Sequence, residues 1–263
     1  MNQDDVRKEW DEGAESFSSF VQEGKDFYRE ELNNPATFKL IGDVKGKKVL
    51  DLACGEGYNT RILARKKAIV VGVDFSEKLI EIARQKETEE RLGIIYHISD
   101  VTTMKMLSSN DFDLVACFMA LQDIEYYENA ISEVARVLKN FGRFIFSIPH
   151  PCFSDYITKD GKEITSWNRE DESLVIKQYF EINKYEVRWD MARIPIPFVT
   201  TAFHRTLTDY FHSLYKNGFL VSRLVEPRPD SAAVEKHPHP FRKRLKIPQS
   251  IIIEAINQQS NKS

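Results

Sequence analysis

The clearest pattern in the chain lies at residues 48–57, where a short apolar run ends at an acidic residue and opens into a glycine-containing turn. Gly55 and Gly57 are spaced by one residue, and polar residues that suit a helix start begin at Tyr58. A second apolar run ends at Asp74. The order strand, glycine turn, helix, strand and acid predicts a nucleotide-binding βαβ unit, with Asp74 placed to bind a ribose.

The same alternation of apolar runs and helical periodicity continues along the chain and predicts a doubly wound α/β sheet. The residues predicted to form its further elements are a helix over 77–86 capped by Ser76, strands over 93–98 and 113–118, a helix over 127–139 ended by a turn at 140–142, a strand over 143–148, a helix over 207–217 capped by Thr206 or Thr208, and final strands over 220–225 and 251–253.

Two regions fall outside this minimal pattern. In residues 1–46, Trp10, Ala14 and Phe17 have the spacing of one helical face. The segment 150–205 is rich in aromatic residues and alternates polar with apolar positions, which predicts short strands. For residues 1–46, core packing is as good an interpretation as a functional one, whereas for 150–205 a functional role is favoured over a purely structural appendage. The functional alternative is a helical lid and a small β-insertion that caps a ligand pocket.

Composition limits the possible partners. The chain has 37 Lys and Arg against 40 Asp and Glu, so it has no overall attraction to nucleic acid. Its N-terminus is polar and acidic, and no apolar run is long enough to cross a bilayer, so we expect a cytoplasmic protein without membrane contact. The three cysteines lack the spacing of a disulfide framework or a zinc site, and we predict no metal.

The residues around the glycine turn decide between possible nucleotides. A dinucleotide fingerprint needs a third glycine where this chain has Thr60. The carboxylate of Asp51, at the strand end, would repel a pyrophosphate but suits a ligand with a cationic amino-acid end. With its strand-Asp-x-x-x-Gly-x-Gly form, this segment resembles the first motif of the class I S-adenosylmethionine-dependent methyltransferases.

The resemblance implies one Rossmann-like domain over residues 1–263, with a seven-stranded sheet of order 3-2-1-4-5-7-6, and S-adenosyl-L-methionine as cofactor. Asp74 would accept the ribose hydroxyls, Asp100 would hold the adenine amine, and Phe75 with Val101 would enclose the adenine ring. The cofactor contacts expected from the resemblance are Asp51, Ala53, Cys54, Gly55, Gly57, Asp74, Phe75, Ser76, Asp100, Val101, Cys117 and Phe118.

A general base is needed only when the methyl acceptor must lose a proton to become nucleophilic. His150 and His204 are candidates, and Asp123 with Gln122 is a further candidate or orienting pair. A histidine beside a proline, as at position 150, is more often a structural hydrogen-bonding residue.

Three functions remain open at this point. The leading one is methyl transfer to a small-molecule acceptor by a monomer or homodimer, without nucleic acid as partner. The alternatives are a tRNA or protein methyltransferase and a non-catalytic S-adenosylmethionine-binding protein. The basic run 242–246 would suit RNA or an acidic acceptor, but a solvated loop before the last strand is the simpler prediction.

Overall fold

The computed structural model describes residues 3–153, 165–168, 170–181, 184–190 and 194–258. Its strands are β1 Lys48–Leu52, β2 Ile69–Asp74, β3 Ile95–Ile98, β4 Phe112–Phe118, β5 Leu138–Pro149, β6 Thr165–Asn168, β7 Ser173–Ile176, β8 Lys184–Trp189, β9 Phe198–Phe203, β10 Phe219–Val225 and β11 Ser250–Asn257. Its α-helices are α1 Gln3–Gln22, α2 Asn34–Ile41, α3 Tyr58–Arg65, α4 Glu77–Glu90, α5 Tyr127–Val137, α6 Leu207–Lys216, α7 Ser231–Lys236 and α8 Pro238–Lys246.

Seven strands form the central sheet in the order β10-β11-β5-β4-β1-β2-β3. The first five strands of the chain are parallel, whereas β11 runs antiparallel to both β5 and β10. Numbered within the sheet, this order is 3-2-1-4-5-7-6, which confirms the predicted fold class. Because the carboxyl ends of parallel strands meet at one sheet edge, the acids that end β1 and β2 lie near each other.

Apolar side chains cover both faces of the sheet, as the continuous apolar runs predicted. One cluster joins the sheet to α5 and α6 and includes Ile131, Val134 and Leu214, all fully buried. The other joins the opposite face to α2, α3 and α4 and includes Ile41, Leu63 and Ile80. The sheet is thus the middle of three layers, and its carboxyl edge is left open to a ligand.

In the described residues of the insertion after β5, two hairpins are formed, β6–β7 and β8–β9, in accordance with the predicted short strands. The hairpin β8–β9 packs so closely against α1 that a Cβ on Gly13 would overlap the ring of Phe198. Thr201 donates hydrogen bonds from its backbone N–H and its hydroxyl to Glu9, at 2.7 and 3.0 Å. The N-terminal helix and the β8–β9 hairpin are therefore packed directly against each other.

Two local predictions were wrong. The helix predicted to reach residue 139 ends at Val137, and residues 138–142 already belong to β5. At this junction the side chain of Asn257 donates to the carbonyls of Ala135 in α5 and Leu138 in β5. The basic run 242–246 lies in α8 rather than in a loop. Pro238 is tolerated in the first turn of that helix, and the fully buried Phe241 fixes it against the body of the protein.

Among the helices that the structure describes, none combines the length and apolar composition that a membrane-spanning segment needs.

Candidate functional site

The turn between β1 and α3 is built from left-handed backbone. Ala53, Gly55 and Gly57 have φ values of 54°, 56° and 82°. A Cβ on Gly55 would have only the ring of Phe17 near it, at 4.0 Å, so this glycine leaves space above the strand end. A Cβ on Gly57 would instead overlap the hydroxyl of Tyr96, so this second glycine is required by close packing inside the domain.

Asp74 connects this turn to the start of α4. Its Oδ2 accepts a 2.8 Å hydrogen bond from the N–H of Gly55, and its Oδ1 accepts one of 2.9 Å from the N–H of Ser76. Ser76 caps α4, since its hydroxyl accepts the N–H of Leu79. Burial raises the pKa of Asp74 to about 6, and the backbone donors oppose this rise.

Asp51 has a buried carboxyl oxygen without a partner. Its side chain is 1% exposed, and its Oδ2 accepts a 2.6 Å hydrogen bond from the hydroxyl of Thr60. Its Oδ1 has no hydrogen-bond partner. Burial raises the pKa of Asp51 to about 7, and the negative charge of Asp74 adds to this effect. An unpaired buried carboxyl oxygen is costly unless a donor or cation from a ligand reaches it.

These groups surround a cavity of about 360 Å³ at the carboxyl edge of the sheet. This volume is within the usual range for small-ligand sites. Nine of the twelve residues expected to contact a cofactor line it, namely Asp51, Ala53, Cys54, Gly55, Asp74, Phe75, Asp100, Val101 and Phe118. Gly57, Ser76 and Cys117 are not in its lining: they serve the turn, the helix cap and the sheet core, respectively.

Aromatic side chains from α1 and the β8–β9 hairpin form a further part of the cavity lining. We call Trp10, Phe17, Phe20, Tyr185 and Trp189 the aromatic wall, since all five line the cavity. The ring centroids of Phe17 lie 5.3 Å from Trp10 and 5.4 Å from Trp189 in edge-on contacts. The wall connects residues more than 170 positions apart in sequence, and the N-terminal periodicity predicted only its first half.

Arg29 is a cavity residue that the sequence did not single out. It lies on a π-helical turn, Arg29–Asn33, that precedes α2. Its guanidinium is 5.4 and 5.6 Å from the ring centroids of Phe17 and Tyr58, and its Nε is 3.3 Å from Asp26 Oδ2. It supplies positive charge to a lining otherwise rich in carboxylates. No motif surrounds it, so only the tertiary contacts reveal it.

A 3-10 turn after β4, Leu121–Asp123, brings Gln122 and Asp123 to the cavity lining. The Nε2 of Gln122 donates to the carbonyl of Met119 at 2.5 Å and to Asp123 Oδ2 at 3.1 Å. Burial raises the pKa of Asp123 well above its usual range, although the guanidinium of Arg205 opposes this.

The two candidate histidines lie elsewhere, because neither belongs to the described lining of the cavity. The Nε2 of His150 is 3.0 Å from a carboxylate oxygen of Glu226, and that of His204 is 2.9 Å from the carbonyl of Tyr179. Burial lowers the pKa of both imidazoles. Of the three predicted catalytic residues, the structure brings only Asp123 to the cavity.

A doubly wound sheet with a glycine turn and acids at successive strand ends defines a nucleotide-binding α/β protein. Comparison with known proteins narrows this class. The model of a methyltransferase domain matches residues 50–146. An uncharacterized protein of Haemophilus influenzae is 30% identical over 209 residues, which are 75% of this chain and 77% of that protein.

A ubiquinone biosynthesis O-methyltransferase of Coxiella burnetii is 33% identical over 129 residues, which cover 48% of this chain and 55% of that enzyme. The chain thus spans about half the length of this named relative. A crystal structure of an S-adenosylmethionine-dependent methyltransferase from Mesorhizobium loti matches with a TM-score of 0.69 and 25% identity, over 84% of this chain and 96% of the other. The chain belongs to the class I S-adenosylmethionine-dependent methyltransferases.

Proposed function

We propose that this protein transfers the methyl group of S-adenosylmethionine to a small-molecule acceptor held in the cavity. The observation that carries this proposal is the continuity of one cavity from the glycine turn at residues 53–57 to the aromatic wall. The wall comes from segments outside the family match at residues 50–146. A pocket enclosed by apolar side chains suits a small ligand better than an RNA or protein surface.

The residues present fit the cofactor. When bound, S-adenosylmethionine supplies an electrophilic methyl group on a sulfonium. We assign the ribose hydroxyls to Asp74, the adenine amine to Asp100, and the two faces of the adenine to Phe75 and Val101. The buried carboxyl oxygen of Asp51, which has no hydrogen-bond partner, supports a cationic or hydrogen-donating ligand group beside it.

The methionine end of the cofactor has two further supports. Gly55 leaves open space at the turn, with Ala53 and Cys54 beside it, so this end can approach the backbone. We assign the carboxylate of the methionine to Arg29, which is the cation among the described cavity residues. Phe118 lies at the end of β4 on the same cavity surface.

Gly57, Ser76 and Cys117 then support the site without lining it. Gly57 lets the turn pack against Tyr96, Ser76 fixes the N-terminus of α4 beside Asp74, and Cys117 packs inside the sheet. Their substitution should weaken cofactor binding only through the shape of the turn and the strand ends.

Residues 1–46 and 150–205 complete the proposed single domain as a lid and a cap. The aromatic wall gives the cavity an apolar surface on this side, and displacement of water by a bound acceptor would strengthen the electrostatic interactions of the transfer site. We propose that the domain acts as a monomer or homodimer in the cytoplasm. Sedimentation of the purified chain tests the first part of this proposal and fractionation of cells tests the second.

Thermal denaturation with S-adenosylmethionine, S-adenosylhomocysteine or NAD tests the cofactor. A ligand that binds the folded state at 100 times its Kd stabilises it by about 2.7 kcal/mol. We expect both sulfur compounds to raise the melting temperature and NAD to leave it unchanged. Stabilisation by NAD alone would contradict the proposal.

Methyl transfer itself is tested with radiolabelled cofactor and fractionated cell extract. We expect label in a small organic product. Label in tRNA or protein would contradict a small acceptor. If tRNA is the acceptor, the affinity of the protein for tRNA should fall steeply as the salt concentration rises. Tight binding of S-adenosylmethionine without label in any fraction would favour a non-catalytic binding protein.

A further inference from the structure

The cavity has two chemically different halves. One half holds the acids at the ends of β1 and β2 and after β3, which the proposed function assigns to the cofactor. The other half comes from the ends of β4 and β5 and from the β8–β9 hairpin. Among the described residues that these elements contribute to the lining, Asp123 is the one with an ionisable carboxyl group.

Most of the other residues that these elements contribute to the lining are apolar or aromatic. Tyr185, Val187 and Trp189 from β8 and Ile124 beside the turn all line this half of the cavity. The rings of Trp189 and Phe198 are stacked at 3° with centroids 5.5 Å apart, which fixes the orientation of the indole. Such a surface favours a planar, mainly apolar ligand, since aromatic rings bind one another in offset or edge-on contact.

The turn that carries Asp123 is held from both sides. Inside the turn, Gln122 donates to Asp123 Oδ2, and its own Oε1 is buried without a hydrogen-bond partner in a side chain that is 8% exposed. From outside, Arg205 donates to the carbonyls of Ile124 and Glu125 at 2.5 and 2.9 Å. A carboxyl group fixed in this way can accept a hydrogen bond in one defined direction.

We propose that this half of the cavity binds an uncharged ring compound whose O–H or N–H group donates to Asp123, and that Asp123 takes its proton during methyl transfer. This inference rests on the proposed function. A lone pair on the acceptor oxygen or nitrogen forms the new bond to the methyl carbon. The carbon–sulfur bond breaks and its electron pair stays on sulfur. The proton moves to the Asp123 carboxylate and leaves to water after product release.

The charge balance of this step agrees with the surroundings of Asp123. A sulfonium cation and a carboxylate anion become a neutral thioether and a neutral carboxyl group. The charged groups whose fields reach Asp123 are Arg205 and Asp74, and the neutral Tyr210 and Cys117 lie near it. Because burial raises the pKa of Asp123, its carboxylate is a stronger base than one in water. An anionic acceptor would place a second negative charge beside it.

Binding is tested first, on the full chain saturated with S-adenosylhomocysteine, by fluorescence of Trp10 and Trp189 in the aromatic wall. The probes are 4-methylcatechol, which is uncharged, and 3,4-dihydroxybenzoate, which has the same ring with a carboxylate. At pH 8.5 we expect the uncharged probe to bind at least about tenfold more tightly, because like charges at close range cost affinity.

Two variants make this test specific. Asp123→Asn should reduce the preference to about threefold or less, because it removes the charge and keeps the shape. Glu128→Gln removes a negative charge from the exposed start of α5, outside the described cavity lining, and should keep the preference. Equal or tighter binding of the benzoate, an unchanged preference in Asp123→Asn, or no saturable binding of either probe would overturn the proposal.

Turnover then tests the catalytic role. With 4-methylcatechol as acceptor, Asp123→Asn should lower kcat by about 10²–10⁴-fold, the usual range for a lost general base, with KM changed less than tenfold. Unchanged kcat, or bound 4-methylcatechol that gives no methylated product, would overturn it. Calorimetry with S-adenosylhomocysteine separates the two proposals. Failure to bind it contradicts the proposed function, whereas binding without a charge preference contradicts only the inference about the acceptor.

Discussion

The hydroxyl of Ser76 donates a 2.6 Å hydrogen bond to Asp11 Oδ1, and this contact joins the N-terminal helix to the cofactor side of the cavity. The same Asp11 oxygen accepts the N–H of Lys78 at 3.2 Å. Ser76 also donates its N–H to Asp74. One chain of hydrogen bonds therefore leads from the proposed lid to the proposed ribose site.

Asp11→Ala should weaken S-adenosylhomocysteine binding about 3- to 10-fold, which corresponds to the net value of one or two hydrogen bonds. The change would remove the hydrogen bonds of Asp11 to Ser76 and Lys78, and so weaken both the start of α4 and the contact between α1 and α4. Isothermal titration calorimetry measures the effect. Asp4→Ala, at an exposed position of the same helix, is the control and should bind like the unmodified protein. Equal affinity of Asp11→Ala would show that α1 and the cofactor site are independent.

Asp51→Asn should change how stability depends on pH. Folding raises the pKa of Asp51 from 3.8 to about 7, so the folded state binds the proton more tightly than the unfolded state. The resulting stability is complete below the unfolded pKa and is lost as pH rises through that of the folded protein. Between about pH 4 and 7 this group lowers the free energy of unfolding by up to about 1.4 kcal/mol per pH unit.

Urea denaturation of the ligand-free protein at pH 5 and pH 8 measures this effect. Asp51→Asn cannot titrate, so its free energy of unfolding should fall less between the two pH values than that of the unmodified protein. Asn keeps an oxygen that can accept the Thr60 hydroxyl. If the free energy of unfolding changes equally between pH 5 and pH 8 in the two proteins, the raised pKa of Asp51 is contradicted.

Gly57→Ala should destabilise the fold by about 1–3 kcal/mol, because it combines a left-handed backbone with a clash against Tyr96. Gly93→Ala is a close control: its φ is 80°, compared with 82° at Gly57, but a Cβ there has nothing within 4 Å. The difference between the two variants in denaturant unfolding isolates the steric clash. Equal losses would mean that backbone strain alone requires glycine in the turn.

Arg205→Lys should lower both stability and acceptor turnover. A lysine is shorter and lacks the second terminal nitrogen, with which Arg205 donates to the carbonyl of Leu121 while Nη2 donates to those of Ile124 and Glu125. It also lacks the planar guanidinium, which lies 4.2 Å from the ring centroid of Tyr127. We expect a loss of about 2–4 kcal/mol in unfolding free energy, from buried carbonyls left without donors.

Arg136→Lys provides the comparison, because Arg136 holds the carbonyls of Met104 and Leu107 and lies outside the described cavity lining. It should lose stability and keep kcat in the folded fraction. Arg205→Lys should lower kcat in the folded fraction as well. The same kcat in both variants would limit Arg205 to a structural role.

Many of the residues proposed to bind the cofactor could be predicted, because they follow one another closely in the sequence. A strand, a turn and an acid follow one another within about 25 residues, and parallel strands must bring their carboxyl ends to one edge. The sequence therefore predicts that Asp51, Asp74 and Asp100 lie at one edge of the sheet. The sequence could not show why position 57 needs glycine, because the side chain that a Cβ there would meet is Tyr96 on another strand.

The sequence alone determined the doubly wound class of the sheet and the acids that line its carboxyl edge, since the alternation of strands and helices depends on neighbours in the chain. The strand order followed from the family that the glycine turn resembles. Only the tertiary structure decided which of His150, His204 and Asp123 reaches the cavity. It also revealed Arg29, and it showed that Arg205 holds the turn of Asp123 from more than 80 positions away. Such contacts depend on how distant segments of the chain pack together. A local pattern of polar and apolar residues does not show which distant segments come into contact.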